Sequence, residues 1–321
     1  MSKVKHRAGI KGVSRRAVQY ACVLLVMAAP GGWAGTNGPE EGEPIHIFNV
    51  GLETYRYDIV TALADFRFDP AGLRLGYSAL IRGKWYLNAG YGAVRDSIDT
   101  LEGSGDFDSR YYTASAGYFG ERWSASLRYF SASSEAQLAR QGAISGSLDD
   151  TADYSGIGIE AGRDWMLGQT TLYLGGFLEF QSQRARTTLR AQSAEAELVE
   201  RTRIDSDGWL AGLTVGVSHL FILGSKGIIP SLSALWAESV SGETFGTNVI
   251  GWRSYSSNVR RSSSADVRGA NPSRGQVDVN LAFLFGRFSF DVGAAFPFDS
   301  EFSRASFEDG RRYYLNLTWQ R

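Results

Sequence analysis

From residue 276 to 296 the chain alternates strictly. Val277, Val279, Leu281, Phe283 and Phe285 share one parity, while Gln276, Asp278 and Asn280 share the other. After Gly286 and Arg287 the pattern resumes, with Phe288, Phe290, Val292, Ala294 and Phe296 set against Ser289, Asp291 and Gly293. Successive side chains of a strand point to opposite faces, so each segment has one apolar and one polar face. So short a link between them predicts an antiparallel hairpin.

The same unit recurs along the chain. Residues 73–81 pair with 85–93, 112–118 with 123–129, 157–161 with 172–180, and 209–217 with 228–236. A closing strand follows at 313–319, and a first strand lies at 45–57, with 58–68 either continuing it or forming a loop. One first strand, five hairpins and one last strand give twelve. Short connections fall near Gly83, Gly120, Gly168, Gly224 and Gly286. Long ones fall at 96–107, 131–151, 183–206, 241–274 and 299–310. Short periplasmic turns alternating with long outer loops, and an even strand count, belong to membrane barrels.

The apolar face decides between a barrel and a soluble sandwich. A Lys or Arg on a lipid-facing wall costs about 2–4 kcal/mol at mid-bilayer and about 0–1 near the interfaces. In this register the central outward positions carry no charge, and the exceptions, Arg163 and Glu238, sit near strand ends. Trp85, Tyr91, Trp123, Tyr129, Trp165, Trp209, Trp236 and Trp319 also fall at strand ends, as interfacial girdles require. The expected fold is all-β: a closed antiparallel transmembrane barrel of about twelve strands over residues 45–321.

Composition and charge refine the compartment. Residues 1–34 read as a signal peptide: Lys3, Lys5, Arg7, Lys11, Arg15 and Arg16 precede an apolar stretch, and Gly32-Trp33-Ala34 is a small–large–small cleavage site. Residues 35–44 read as a disordered tail. Of 33 Lys+Arg and 34 Asp+Glu, removing those six bases leaves 27 against 34, a net charge of −7. The single cysteine, Cys22, lies inside the signal, so the mature chain has no thiol chemistry. Only Lys84 and Lys226 remain as lysines, with no basic tract for nucleic acid. The expected location is the bacterial outer membrane, with its lipid and lipopolysaccharide as surroundings.

Tyr313-x-Leu315-x-Leu317-x-Trp319 resembles the C-terminal strand read by the bacterial barrel-assembly machinery, although Gln320-Arg321 follows the aromatic. Signal, twelve strands and this ending together resemble the translocator barrels of autotransporters, over most of the mature chain. The resemblance implies assembly by that machinery. Only about ten to twenty residues precede the barrel, so the expectation is a solitary barrel without a passenger domain.

Candidate chemistry lies on the inward face. Arg74, Arg82, Arg122, Arg128, Glu160, Glu179, Asp278 and Asp291 are the expected lumen-facing charges, either lining a pore or pairing into a plug. Arg184, Arg186, Arg190, Arg260 and Arg261 stand in two long loops and are candidates for lipopolysaccharide phosphate. His46 and His219 lie at the short-turn end and read as interfacial, so no enzyme is expected and no catalytic residue is named. Gly156, Gly158 and Gly162 imitate a nucleotide loop, but they lie mid-strand with no helix after them. Asp149, Asp150 and Asp153 read as a solvated loop, and neither metal nor cofactor is expected. The leading functional expectation is a narrow porin-like channel for small polar solutes. The alternative is a non-conducting, autotransporter-like barrel with a structural or surface-interaction role, and an outer-rim hydrolase is third.

Overall fold

The computed structural model describes residues 44–54, 57–60, 65–81, 84–100, 103–120, 123–140, 144–224, 226–255, 260–269, 274–297 and 312–320. The expected signal segment and nearly all of the expected tail lie outside them. The chain runs through β1 (Ile45–Thr54), β2 (Tyr57–Val60), β3 (Asp65–Phe68), β4 (Ala71–Ile81), β5 (Trp85–Thr100) and β6 (Gly103–Phe119). It continues through β7 (Trp123–Arg140), β8 (Ile144–Leu167), β9 (Thr170–Ser193), β10 (Ala196–His219) and β11 (Phe221–Leu223). Last come β12 (Lys226–Ser254), β13 (Arg260–Gly269), β14 (Arg274–Phe285), β15 (Phe288–Pro297) and β16 (Arg312–Gln320).

Twelve of these strands form a ring of antiparallel neighbours: β1, β4 to β10, β12 and β14 to β16. The ends of the chain close it, with β1 paired to β16 from Ile47↔Gln320 to Thr54↔Tyr313. On the far side β10 pairs with β12 from Ala196↔Ser254 to Ser218↔Ser231. The first strand ends at Thr54, and the uncertain stretch after it is a separate β2–β3 hairpin outside the ring. Three of the short turns repeat one device. Gly168, Gly224 and Gly286 each open a two-residue link at φ 65, the left-handed conformation that matches strand twist in tight hairpins and that glycine adopts without strain.

Four of the five expected long connections are largely strand among the described residues, and the fifth, 299–310, lies outside them. Residues expected to wander above the membrane instead continue the strands, so that β8, β9 and β10 each run for 24 residues. A tilted strand needs only about 9–11 residues to cross a bilayer, so more than half of each stands clear as a β-extension of the wall. Residues 241–254 follow the same course. They stay paired to β10 and take β13 on the other edge, and so prolong the wall. Alternation carries on through these segments, but their outward positions are mostly Ser, Thr, Asp, Glu and Arg, with Val199, Phe245 and Val249 as scattered apolar exceptions, so no apolar stripe advertises them.

A bulge marks the transition. Trp209 pairs with Ser241 and Leu210 with Ser239, leaving Val240 as the extra residue, and Gly242 beside it has φ 119. Bulges at barrel rims bend a strand and increase its twist. Glu238 lies two residues before this bend, while Arg163 stacks on Trp165 at the opposite end, 5.3 Å from the ring centroid.

The outward face is the apolar one. Leu87, Leu127, Ile159 and Leu213 are exposed on it. Two aromatic bands bound this stretch. One runs along the short-turn end, where Phe48 stacks on Trp319 and Trp85 packs on Tyr118. The other carries Tyr91 against Tyr112 and Phe180 against Trp209. The two histidines face outward in the first band: His46 bonds the Tyr77 hydroxyl at 2.8 Å, and His219 bonds Thr170 Oγ1 at 2.7 Å. Leu213, 61 % exposed, lies midway between the bands. Leu213→Arg is expected to cost about 2–4 kcal/mol in denaturant unfolding from lipid bilayers, whereas Leu213→Phe is expected to be neutral within error.

Candidate functional site: the barrel lumen

Every second residue of the ring points inward, and glycines decide how those side chains meet. Arg128 on β7 lies opposite Gly158 on β8, which in turn lies opposite Glu179 on β9. With no side chain at Gly158, the flanking residues meet over the middle strand, Arg128 Nη2 reaching Glu179 Oε2 at 3.0 Å. Its other amino group reaches Glu160 Oε2 at 3.2 Å, and the guanidinium stacks over Phe177 at 5.2 Å. Tyr173 donates to Glu160 at 2.9 Å and Gln181 to Glu179 at 2.5 Å. Glu179 is 4 % exposed; a carboxylate taken that far from water is tolerable because it is paired and hydrogen-bonded.

The same arrangement recurs around the ring. Arg74 on β4 lies opposite Gly92 on β5, and Gly92 lies opposite Tyr111 on β6. A side chain at Gly92 would collide with the Tyr111 ring, which crosses the glycine to hydrogen-bond Glu53 on β1. On the other side of β1, across β16 to β14, the Tyr314 ring occupies the space above Gly293, and its hydroxyl donates to Asp278 at 2.7 Å. Arg312 approaches Asp278 at 3.8 Å and stacks over Tyr314. Glycine in a strand often marks such a close approach. The nucleotide-loop imitation at Gly156, Gly158 and Gly162 has this explanation, since these glycines accommodate Phe130, Glu179 and Tyr173. Inward aromatics therefore lie flat along the wall.

Of the eight expected lumen charges, Arg128, Glu160 and Glu179 meet in one network and Asp278 belongs to another. Arg74 faces inward on β4. Asp291 is 2 % exposed, and its Oδ2 has no hydrogen-bond partner among the described residues. Arg82 and Arg122 lie outside the described residues. Glu53, Tyr111, Tyr173, Tyr314 and Arg312 join these networks although none was among the expected lumen residues. All have inward parity, but a tyrosine counts as apolar in an alternation pattern, and Glu53 and Arg312 stand at strand ends. The Asp149, Asp150 and Asp153 cluster is divided by strand alternation: Asp150 turns inward and accepts from Thr187 at 2.5 Å, while the other two face out.

The inner face of the β-extension differs in kind. Val94, Phe107, Ala136 and Leu148 all point inward and are 1–2 % exposed. Above the polar networks, then, lies a buried level on β5 to β8 in which these apolar side chains sit beside Ser109, opposite Val94, and Asp150, opposite Ala136. The five arginines read as loop residues stand elsewhere: Arg184, Arg186 and Arg190 point outward along β9, and Arg260 and Arg261 are exposed on β13. At the C-terminus, Tyr313, Leu315, Leu317 and Trp319 face outward on β16, level with Thr54, Leu52, Val50 and Phe48 of β1.

Two substitutions test these contacts. Arg128→Leu leaves Glu179 buried without its cation and is expected to cost about 3 kcal/mol in unfolding from bilayers. Gly293→Ala is expected to cost about 1–3 kcal/mol by overpacking against Tyr314, and the cost should largely vanish in a Tyr314→Ala background.

No family model matches the chain, and no curated protein matches its sequence. Solved structures do resemble it. The translocator domain of the autotransporter NalP from Neisseria meningitidis superposes with a TM-score of 0.51 at 11 % identity, covering 88 % of this chain and 89 % of that one. The beta domain of the Bordetella autotransporter BrkA gives 0.49 at 13 % identity, over 86 % and 99 % of the two chains. The Pseudomonas putida toluene transporter TodX gives 0.41 at 12 % identity, over 88 % and 89 %. At these identities the likeness concerns architecture. The chain has the fold of a bacterial outer-membrane β-barrel, closed by twelve antiparallel strands in the manner of an autotransporter translocator domain.

Proposed function

We propose that the barrel is a narrow channel for small polar solutes, gated at its outer end. The observation that carries this reading is Asn88. Its side chain points inward, level with Ser115 and Arg128, yet it is exposed. The polar level of the lumen therefore has room for water beside it, which supports the reading. Flattening the inward aromatics against glycines keeps bulk out of the bore. Among the described residues of the polar wall, the acids Glu53, Glu160, Glu179, Asp278 and Asp291 outnumber Arg74, Arg128 and Arg312. Charges fixed along a pore select against ions of their own sign, so the preferred solutes are cationic or neutral. The buried level around Phe107 is the gate in this reading.

The same buried level supports a second reading, a permanently closed barrel serving as a structural element of the surface. Planar-bilayer recording of the refolded protein separates the two. A channel gives unitary steps with a cation-selective reversal potential in a salt gradient. One unit charge about 10 Å away in water is worth about 0.4 kcal/mol, roughly a factor of two in local ion concentration. Asp278→Asn is therefore expected to lower cation selectivity by about that factor. Absence of any unitary current, including under applied voltage, would overturn the channel and leave the closed barrel.

A further inference from the structure

We propose that the outer wall of the extension, across β9 and β10, binds the phosphate groups of lipopolysaccharide. Arg184, Arg186 and Arg190 on β9 and Arg201 and Arg203 on β10 are all exposed. They share the outward parity of Leu174 and Leu178 on β9 and Trp209 on β10, so they continue the wall that meets lipid below. The Phe180–Trp209 pair, with centroids 5.5 Å apart, marks where the apolar band ends. Arg184 follows Phe180 by four residues and Arg190 by ten, about 13 and about 33 Å along the strand at about 3.3 Å per residue. Allowing for strand tilt, that span covers the headgroup and core-saccharide layer of the outer leaflet, on the side away from the short turns.

Register makes the cluster unusual. Arg186 lies directly opposite Arg203, and like charges facing each other on an antiparallel pair are destabilising unless something neutralises them. Arg203 is held by Asp205 at 2.6 Å, but Arg186, Arg190 and Arg201 form no ion pair among the described residues. The wall of β5 and β6 provides the contrast. There Arg95 and Arg110 both face outward, and both are bound by Asp108, at 2.5 and 3.1 Å. On β9 and β10 the guanidinium forks of Arg186, Arg190 and Arg201 are instead carried on paired backbone without an acid among the described residues. A planar fork accepts a phosphate through two parallel hydrogen bonds, which suits a phosphorylated headgroup better than a diffuse positive field would. Phe245 and Val249 on β12 add exposed apolar surface on the same face, opposite Asp205 and Arg201. Arginine forks beside apolar side chains fit an amphipathic anionic glycolipid.

The proposal depends on the orientation of the barrel and not on whether it conducts. The test is binding of phosphorylated rough-type lipopolysaccharide to the full-length protein in detergent micelles. Dephosphorylated lipopolysaccharide and phosphatidylglycerol serve as comparison ligands, and the heat-shifted electrophoretic band reports folding. The triple variant Arg186→Gln, Arg190→Gln, Arg201→Gln is expected to bind at least tenfold more weakly. The double variant Arg95→Gln, Arg110→Gln is expected to change affinity less than twofold. The dephosphorylated ligand should bind the wild type as weakly as the phosphorylated one binds the triple variant. Should the glutamine triple fail to fold, the corresponding lysine triple replaces it, with a several-fold loss expected because charge remains but the fork is gone. Unchanged affinity in the triple variant used would overturn the proposal, as would an equal loss in the Arg95/Arg110 variant. Equal binding of phosphatidylglycerol or of dephosphorylated lipopolysaccharide would overturn it too.

Discussion

In the hydrocarbon of a bilayer a backbone amide or carbonyl has no water to bond, and each one left unpaired costs several kcal/mol. A sheet can cross only if it has no edge, which makes the pairing of β1 with β16 the contact on which the fold depends. It joins residues at the two ends of the described chain, across a register that matches Phe48 to Trp319 and Val50 to Leu317. Once that seam and the β10–β12 pairing are made, every strand in the ring has two neighbours. Closure then fixes which parity meets lipid and which meets the lumen.

From closure follows the character of the interior. Side chains of both signs are confined to a polar wall, and they resolve into networks that cross one or two strands. Glycine is what lets them cross. Gly158 lets Arg128 reach Glu179, and Gly92 lets Tyr111 reach toward Glu53. These contacts tie neighbouring strands together from inside, in addition to the backbone ladder, and they press the aromatic rings against the wall. Above them, on β5 to β8, the inner face carries the buried side chains of Val94, Phe107, Ala136 and Leu148. On the proposed reading, this buried level is what gates the passage.

Much of this was legible in the sequence, because period two with an apolar outer face is a loud signal. The hairpin at 276–296 appears as β14 and β15 in the expected register, with Val279 opposite Ala294 and Asp278 facing the lumen. The twelve-strand count survives as well. What the sequence hid has two physical causes. Outside the bilayer both faces of a strand can be polar, so β8 to β10 beyond the aromatic belt look like loops although they are continuous strands. Within the lumen, partners are set by neighbours in the ring and not by neighbours in the chain. Nothing near Glu53 in sequence points to Tyr111, and nothing near Tyr314 points to Gly293.

The central claim is that alternate residues of one strand face lipid and an aqueous lumen. Neighbouring positions on β5 test it directly: Asn88, exposed on the inner wall, and Leu87, 50 % exposed on the outer one. The single cysteine of the chain is Cys22, so in a Cys22→Ser background a single introduced thiol can be followed on its own. The measurement is the rate at which a small water-soluble maleimide labels Asn88→Cys and Leu87→Cys in protein refolded into lipid vesicles. The account requires rapid labelling at position 88 and protection at position 87; equal rates, or the reverse order, would contradict it.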